Sequence, residues 1–167
     1  MERYKLGQKV GEGTGGVVFV GTVLTPSPAA AEYGLGPGDK VAFKRVKEDP
    51  RHPGTGMRVD ALREIKLLQE LRHRNIVPLL DVFKRGDSVE LVFPFAPNDL
   101  KKVIDTKSIP LGKEHIKAYM QMTLEGIAFL HESWVLHRDM KPENLLVGAA
   151  ALLLPPTPRA QPPLRPA

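Results

Sequence analysis

The sequence predicts an α+β fold, with a sheet in the first half of the chain and helices in the second. Five short segments before residue 94 are rich in strand-forming residues and are bounded by glycine or proline turns. The longest run of helical periodicity follows them, from Gly112 to Ser133. Strands that come first and helices that come later are typical of α+β folds.

Composition limits the kind of protein. The chain has 167 residues, 42% apolar and 26% charged, which suits one compact unit or two small lobes. It has no cysteine, which excludes a disulfide framework and a thiolate metal site. The net charge is +5, but the basic residues are dispersed and no nucleic-acid motif accompanies them, so direct nucleic-acid binding is not expected. The longest apolar run, Leu145 to Leu154, is too short to span a bilayer, and we expect a cytosolic or nuclear protein without a membrane partner.

The first two strands, Tyr4 to Val10 and Val17 to Val23, flank the sequence GEGTGG. We expect an antiparallel hairpin with a glycine turn. Glycines allow the backbone to approach phosphate oxygens and to offer N–H donors. The pattern GxGxxGxV is formed by Gly11, Gly13, Gly16 and Val18. A glycine-rich hairpin alone is more often only a hairpin, so this signal is weak.

The next segment, Leu24 to Asp39, has little periodicity and is predicted to be a mobile loop. The third strand, Lys40 to Val46, alternates, and Lys44 shares a face with Ala42 and Val46. One interpretation of Lys44 is a strand lysine kept in water. Its position in V-A-x-K after a glycine hairpin favours a lysine that contacts phosphate.

A helix is predicted from Arg58 to Arg72, because its apolar residues recur at helical spacing. These residues are Ala61, Leu62, Ile65, Leu68 and Leu71. Glu64 lies on the same face, and a carboxylate there needs a cation, for which Lys44 is the candidate. The alternative is an exposed glutamate paired within the helix.

Two more strands are predicted, Pro78 to Phe83 and Ser88 to Phe93. Prolines then break the pattern in FAPNDL, which indicates a linker. We expect Asn98 or Asp99 to cap a short helix that ends near Asp105.

The segment HRDMKPEN, His137 to Asn144, brings a carboxylate, a cation and an amide together at a spacing that phosphoryl transfer can use. The alternative is an ordinary charged turn between a helix and a strand, since Asp, Lys, Pro and Asn are common turn residues. Leu145 to Val147 is predicted to be a short strand. The proline-rich segment from Ala149 to Ala167 has no acidic residue and is predicted to be disordered.

From Tyr4 to about Val147, the order of hairpin, V-A-x-K, inward glutamate, linker, long helix and HRDMKPEN resembles the N-terminal half of a eukaryotic protein kinase domain. The segments ALREIKLLQELRHRNIV, LVFPFAPNDL and HIKAYMQMTLEGIAFLHESWVLHRDMKPENLL are similar to cyclin-dependent kinases of the CDK-activating, transcription-linked type. The resemblance implies an N-lobe over residues 1–93, with a five-stranded antiparallel sheet and an αC-type helix. It also implies a hinge at 94–98 and the start of a helical C-lobe at 99–148, before the tail at 149–167.

The implied activity is phosphoryl transfer from ATP to protein serine or threonine. By this resemblance Asp139 would accept the hydroxyl proton, Lys141 would lie against the transferring phosphate and Asn144 would bind Mg²⁺. The implied ATP contacts are Val10, Gly11, Gly13, Gly16, Val18, Ala42, Lys44, Glu64, Phe93, Pro94, Ala96, Asp99 and Leu146. A cyclin-type subunit would bind the helix that carries Glu64, a protein would be the substrate, and a nuclear location is favoured.

The chain departs from the kinase pattern after HRDMKPEN. No DFG occurs, no aspartate follows Asp139, and the activation segment and APE motif do not occur. The main magnesium-binding carboxylate is therefore missing, and we expect the chain as it stands to be inactive. The alternative function is a catalytically dead fragment that binds a cyclin or a nucleotide. A third possibility is an unstable chain in which the apolar face of the long helix is uncovered.

Overall fold

Five antiparallel strands form the sheet of the first half, in the spatial order β1-β2-β3-β5-β4. Their bounds are β1 (Tyr4–Gly13), β2 (Gly16–Val23), β3 (Lys40–Val46), β4 (Asp81–Arg85) and β5 (Ser88–Pro94). This computed structural model describes residues 2–13, 16–46, 59–86, 88–148 and 151–153, and only the backbone of residues 59–64 and 151–153. The predicted α+β fold with a five-stranded antiparallel sheet is confirmed.

The register assigns each side chain of the central strands to one face. Lys44 lies opposite Val18 on one side and Leu91 on the other, and Ala42 lies opposite Phe93. Because directly opposed residues point to the same face, these side chains share what we call the inner face. The inner face belongs to a core made with helix α2 (Val59–Glu70) and the end of helix α4 (Lys113–Glu132). Its buried members include Ile65, Leu68, Leu71, Leu91, Phe93 and Leu130.

A second core covers the outer face. It is built from Tyr4, Val23, Ala30, Val41, Phe43, Leu80 and Val92. Tyr4 and Phe43 pack edge to face with ring centroids 5.8 Å apart, and Tyr4 stacks on Phe83 at 6.2 Å.

The segment predicted to be a mobile loop, Leu24 to Asp39, contains a short helix instead. Helix α1 (Pro28–Glu32) is capped by Ser27, whose Oγ accepts a hydrogen bond of 3.1 Å from the N–H of Ala30. The same hydroxyl donates a hydrogen bond of 2.7 Å to the carbonyl of Leu80. Ala30 is fully buried in the outer core. The prediction of a mobile loop was wrong because these contacts fix the segment to the sheet.

Helix α2 and strand β4 differ from their predicted bounds. Helix α2 runs from Val59 to Glu70, within the predicted range of Arg58 to Arg72. Arg58 lies outside the described residues. Strand β4 begins three residues after the predicted Pro78 and continues to Arg85, which pairs with Ser88. Gly86 between them has φ of +59°, as a tight hairpin turn requires, so the strand extends to that turn.

The second half begins with strand β6 (Asn98–Asp99) and helix α3 (Leu100–Asp105). The predicted cap is confirmed at Asp99, which accepts a hydrogen bond of 2.8 Å from the N–H of Lys102. Helix α4 also matches its prediction, with Gly112 and Ser133 as its caps. After a 3₁₀ turn at Pro142–Asn144, strand β7 (Leu145–Val147) pairs antiparallel with β6.

One side of α4 is exposed. Ile116, Met120 and Leu124, spaced four residues apart, are each more than half accessible to solvent. Trp134, just after the helix, is 93% exposed and has φ of +58°.

The tail predicted to be disordered from Ala149 includes a strand. Strand β8 (Ala151–Leu153) pairs antiparallel with β7, so this part of the prediction was wrong. An Ala-Leu run can add to the open side of a short apolar strand because the ladder satisfies its backbone groups. Residues 154–167 lie outside the described residues. Within the described part of the chain, no helix is long and apolar enough to cross a membrane.

Candidate functional site

The HRDMKPEN segment folds so that its carboxylate, cation and amide meet. Lys141 Nζ lies 3.1 Å from Asp139 Oδ2, and Asn144 Nδ2 donates to the same oxygen at 3.0 Å. Asn144 Nδ2 also donates to the backbone carbonyl of Asp139 at 2.7 Å. The 3₁₀ turn at Pro142–Asn144 brings the asparagine back to the aspartate. The three residues predicted to be catalytic therefore form one cluster.

The residues before Asp139 fix its position. His137 is buried, and its Nδ1 accepts a hydrogen bond of 3.3 Å from the N–H of Asp139. Arg138 has φ of +62°, a left-handed conformation that a non-glycine residue adopts only at a cost. The Asp139 side chain is about half exposed.

The charges around Asp139 favour its ionised form. The hydrogen bond from Lys141 is the largest cause that lowers the pKa of Asp139, followed by the hydrogen bond from Asn144. The carboxyl group is therefore ionised at neutral pH, which is the form that a proton acceptor requires.

Lys44 lies on the inner face of β3, as predicted, and is partly buried. Burial lowers the pKa of Lys44, and the charge of Asp139 acts in the opposite direction. A partly buried ammonium group of this kind favours an anionic ligand, since an anion would offset its desolvation. The predicted pairing with Glu64 concerns a side chain outside the described ones, so it stays a prediction.

The glycine hairpin has the predicted strand-turn-strand form. Gly13 pairs with Gly16, while Thr14 and Gly15 between them lie outside the described residues. Gly16 has φ of +121°, and a Cβ there would lie 2.1 Å from the carbonyl oxygen of Arg45. Close packing against Arg45 therefore explains why residue 16 is a glycine.

Gly11 is different. It lies opposite Val18, and a Cβ at Gly11 would meet nothing within 4 Å. Fold packing does not require a glycine at this position, whereas close approach of a ligand to the backbone would.

The remaining residues assigned to ATP are distributed between the two halves of the chain. Ala42 and Phe93 are paired neighbours on the inner face, and Pro94 pairs with Val41 at the end of β5. Asp99 pairs with Leu146 across β6 and β7. Phe93 and Pro94 are buried, Val18, Ala42, Ala96, Asp99 and Leu146 are partly buried, and Val10 is 50% exposed. The β3–β5 ladder and the β6–β7 ladder thus present small and apolar side chains, together with one polar side chain, that of Asp99.

A divalent ion would find few protein ligands in the described residues. They contain no group of three His, Cys, Asp or Glu side chains that could hold a metal ion. The amide nitrogen of Asn144 donates to Asp139. The amide oxygen of Asn144 is therefore the atom that could coordinate a hard cation. A single amide oxygen, that of Asn144, fits a metal ion that takes most of its other ligands from nucleotide phosphates and water.

One charged cluster was not predicted. Glu90 is fully buried, and Arg45 bonds its Oε1 through Nε at 3.0 Å and Nη2 at 2.5 Å. Arg85 Nε lies 3.3 Å from Oε2, an ion pair without hydrogen-bond geometry. The available signal was opposite charge on the outward positions of β3 and β5, but strand pairing is needed to make the residues neighbours.

Comparison with known proteins gives concordant matches. A family model described as "Protein kinase domain" matches residues 4–153. The chain is 43% identical over 150 residues to cyclin-dependent kinase 7 of Dictyostelium discoideum, which covers 89% of this chain and 39% of that protein. It is 44% identical over 148 residues to cyclin-dependent kinase D-1 of Oryza sativa subsp. japonica, covering 89% and 32%. It is 48% identical over 114 residues to cyclin-dependent kinase 7 of Xenopus laevis, covering 68% and 32%. The chain spans 39% or less of the length of these three relatives.

Proposed function

This chain belongs to the protein kinase domain family, as the resemblance predicted, and we propose that it is an ATP-binding serine/threonine kinase region of the cyclin-dependent type. The observation that carries the proposal is the contact of Asp139 with both Lys141 and Asn144. We assign residues 1–93 to the N-lobe, 94–98 to the hinge, 99–148 to the C-lobe and 149–167 to a tail.

In the proposed reaction the oxygen of a substrate serine or threonine attacks the γ-phosphorus of ATP, the bond from that phosphorus to the β,γ-bridging oxygen breaks, and ADP leaves. The hydroxyl proton passes to Asp139. The contacts from Lys141 and Asn144 fall on Oδ2, and we assign the incoming proton to Oδ1. These contacts orient the carboxylate and keep it ionised until the hydroxyl arrives. Lys141 would also lie against the transferring phosphoryl group, where negative charge is spread over the oxygens.

The inner face would hold the nucleotide. Ala42, Phe93 and Leu146 offer small or apolar surface for adenine, and the backbone of Pro94 and Ala96 lies at the end of β5 where the base edge would bond. The phosphates would lie between the glycine hairpin and Lys44. A divalent ion, which we propose to be Mg²⁺, would neutralise phosphate charge and take Asn144 as its protein ligand.

A binding measurement tests the nucleotide assignment. Replacement of Lys44 with methionine should weaken Mg-ATP binding by about ten- to hundredfold, since a charge-assisted contact is lost. Lys84, an exposed lysine of β4, gives the matched control Lys84→Met, for which no change is expected. Calorimetric titration of both variants decides the matter. Equal affinity of wild type and Lys44→Met would refute the role of Lys44.

A second candidate function is nucleotide or cyclin binding without transfer. It is favoured by the sequence after Glu143, in which no acidic residue occurs that could replace the DFG carboxylate. Loss of one electrostatic element costs about 10²- to 10³-fold in rate.

We therefore expect this 167-residue chain, assayed with a cyclin, Mg-ATP and a peptide containing Ser-Pro or Thr-Pro, to transfer no more phosphate than its Asp139→Asn variant. Transfer that the Asp139 change eliminates would show that the chain completes its own metal site.

A cyclin-type subunit is the proposed partner, with the helix α2 surface as its contact, and a nuclear location is proposed with it. The basis is likeness to relatives named cyclin-dependent kinases. Pull-down of folded chain with a panel of cyclins tests this, and failure of every cyclin to bind would refute it.

A further inference from the structure

The buried Glu90 is the centre of a charged and aromatic chain that crosses four strands. Arg45 of β3 bonds Glu90 of β5 through two nitrogens, and Arg85 of β4 lies against the other carboxylate oxygen. The Arg45 guanidinium also lies 4.8 Å from the centroid of the Phe19 ring in β2. We call Phe19, Arg45, Glu90 and Arg85 the cross-strand clamp.

The clamp does not lie on the nucleotide side of the sheet. Arg45 directly opposes Glu90, and both alternate with Lys44 and Leu91, which lie on the inner face. Phe19 likewise alternates with Val18. The clamp residues therefore act from the outer face and would not touch a nucleotide bound on the inner face.

The clamp is placed where the glycine hairpin needs support. Strand β1 is an edge strand, so among the described strands the backbone ladder between the hairpin and the rest of the sheet is the pairing of β2 with β3. Arg45 pairs with Val17 at the turn end of that ladder. The backbone of Gly16 packs so closely on Arg45 that a Cβ would lie 2.1 Å from its carbonyl oxygen. Whatever fixes Arg45 therefore also fixes Gly16, the first residue of β2.

Charge makes the clamp rigid. A fully buried carboxylate without partners is costly, so Glu90 holds its two arginines in place. The planar guanidinium of Arg45 can bond Glu90 and face an aromatic ring at the same time, which an ammonium group cannot do equally well. An apolar cluster would stabilise the sheet without fixing one direction for each side chain.

We propose that the cross-strand clamp fixes the distance between the glycine hairpin and the inner face. In this way it positions the hairpin for the phosphates of a bound nucleotide. The four residues are positioning residues that act through the backbone of β2. This inference rests on the proposed nucleotide-binding function. It predicts that damage to the clamp weakens binding of the phosphate portion of ATP and leaves binding of the adenosine portion intact.

The test compares Mg-ATP with adenosine, each titrated calorimetrically into the full 167-residue chain. In Phe19→Leu the ring face is lost, but most of the apolar volume that packs against the outer core is kept. We expect its ATP affinity to fall by about three- to tenfold and its adenosine affinity to stay unchanged. Phe19→Tyr keeps the ring face and should bind ATP like wild type. Glu90→Gln should resemble Phe19→Leu.

A matched control lies at the other end of the sheet. Arg3 forms an ion pair with Asp81 at 3.1 Å, away from the hairpin turn, and Arg3→Gln should change neither affinity. Equal losses for ATP and adenosine in Phe19→Leu, or unchanged ATP binding in that variant, would overturn the clamp while leaving the proposed function intact. A wild-type chain that binds neither ligand would overturn both.

Discussion

The charge of Asp139 depends on two neighbours from its own segment. Lys141 and Asn144 are two and five residues further along the chain and both reach Oδ2. Since these contacts lower the pKa of the folded state below its unfolded value, their stabilising effect is present above the unfolded pKa. It is lost as the pH falls through the folded pKa.

We predict that Lys141→Met raises the pKa of Asp139 towards its usual range, because the largest stabilising contact of the carboxylate is removed. An NMR titration of the Asp139 carboxyl carbon measures this directly. Lys101, which pairs with Asp105 on helix α3, provides the control Lys101→Met, which should leave the Asp139 titration unchanged. A pKa of Asp139 that is the same in wild type and Lys141→Met would contradict the assignment.

This cluster could be predicted because its members are close in sequence. Their spacing within HRDMKPEN indicated that Asp139, Lys141 and Asn144 could act together, and the resemblance to protein kinases implied their roles. The contacts of Glu90 could not be predicted from sequence spacing. Its partners Arg45 and Arg85 become its neighbours only when β3, β5 and β4 pair in one register. The burial of Glu90 is thus a property of strand pairing that no single segment reveals.

Helix α1 shows how a short element can be missed. The sequence SPAAAE has a serine cap followed by proline at the first helical position, a recognised start signal. The prediction gave more weight to the prolines and glycines around it. Tertiary contacts decide such cases, and here the cap hydroxyl bonds Leu80 and Ala30 enters the core.

We predict that Ser27→Ala lowers the free energy of unfolding by about 1–3 kcal/mol, because it removes the helix cap and leaves the buried carbonyl of Leu80 unpaired. Urea unfolding followed by circular dichroism gives the value. Ser108 is exposed, so Ser108→Ala should have little effect and serves as the control. If the segment were mobile, as the sequence predicts, Ser27→Ala and Ser108→Ala would have the same free energy of unfolding.

At the scale of the whole molecule, the order of motifs was enough to predict the family. Hairpin, V-A-x-K, helix, linker and HRDMKPEN occur in a sequence that few other folds share, and a match over residues 4–153 agrees with this. Core formation also follows from the pattern, since both sheet faces are covered. An uncovered apolar face on α4 was one possibility raised by the sequence, and Ile116, Met120 and Leu124 are exposed.

We predict that the double substitution Met120→Lys with Leu124→Gln reduces self-association of the purified chain without lowering its melting temperature. Both side chains are already more than half exposed, so little burial is lost, while an apolar patch is interrupted. Light scattering at increasing concentration and a thermal melt measure the two effects. A melting temperature that falls by several degrees would show that these side chains are packed in solution.

Trp134 has a practical consequence for experiments on this chain. It is the sole tryptophan, and 93% of its surface is already exposed in the folded state. Its indole emission should therefore change little when the chain is denatured, and intrinsic fluorescence would be a poor indicator of unfolding. For the same reason the indole is a sensitive optical reporter of contact. A blue shift, or protection from acrylamide quenching, on addition of another protein would indicate that the surface just before the HRDMKPEN segment has been covered.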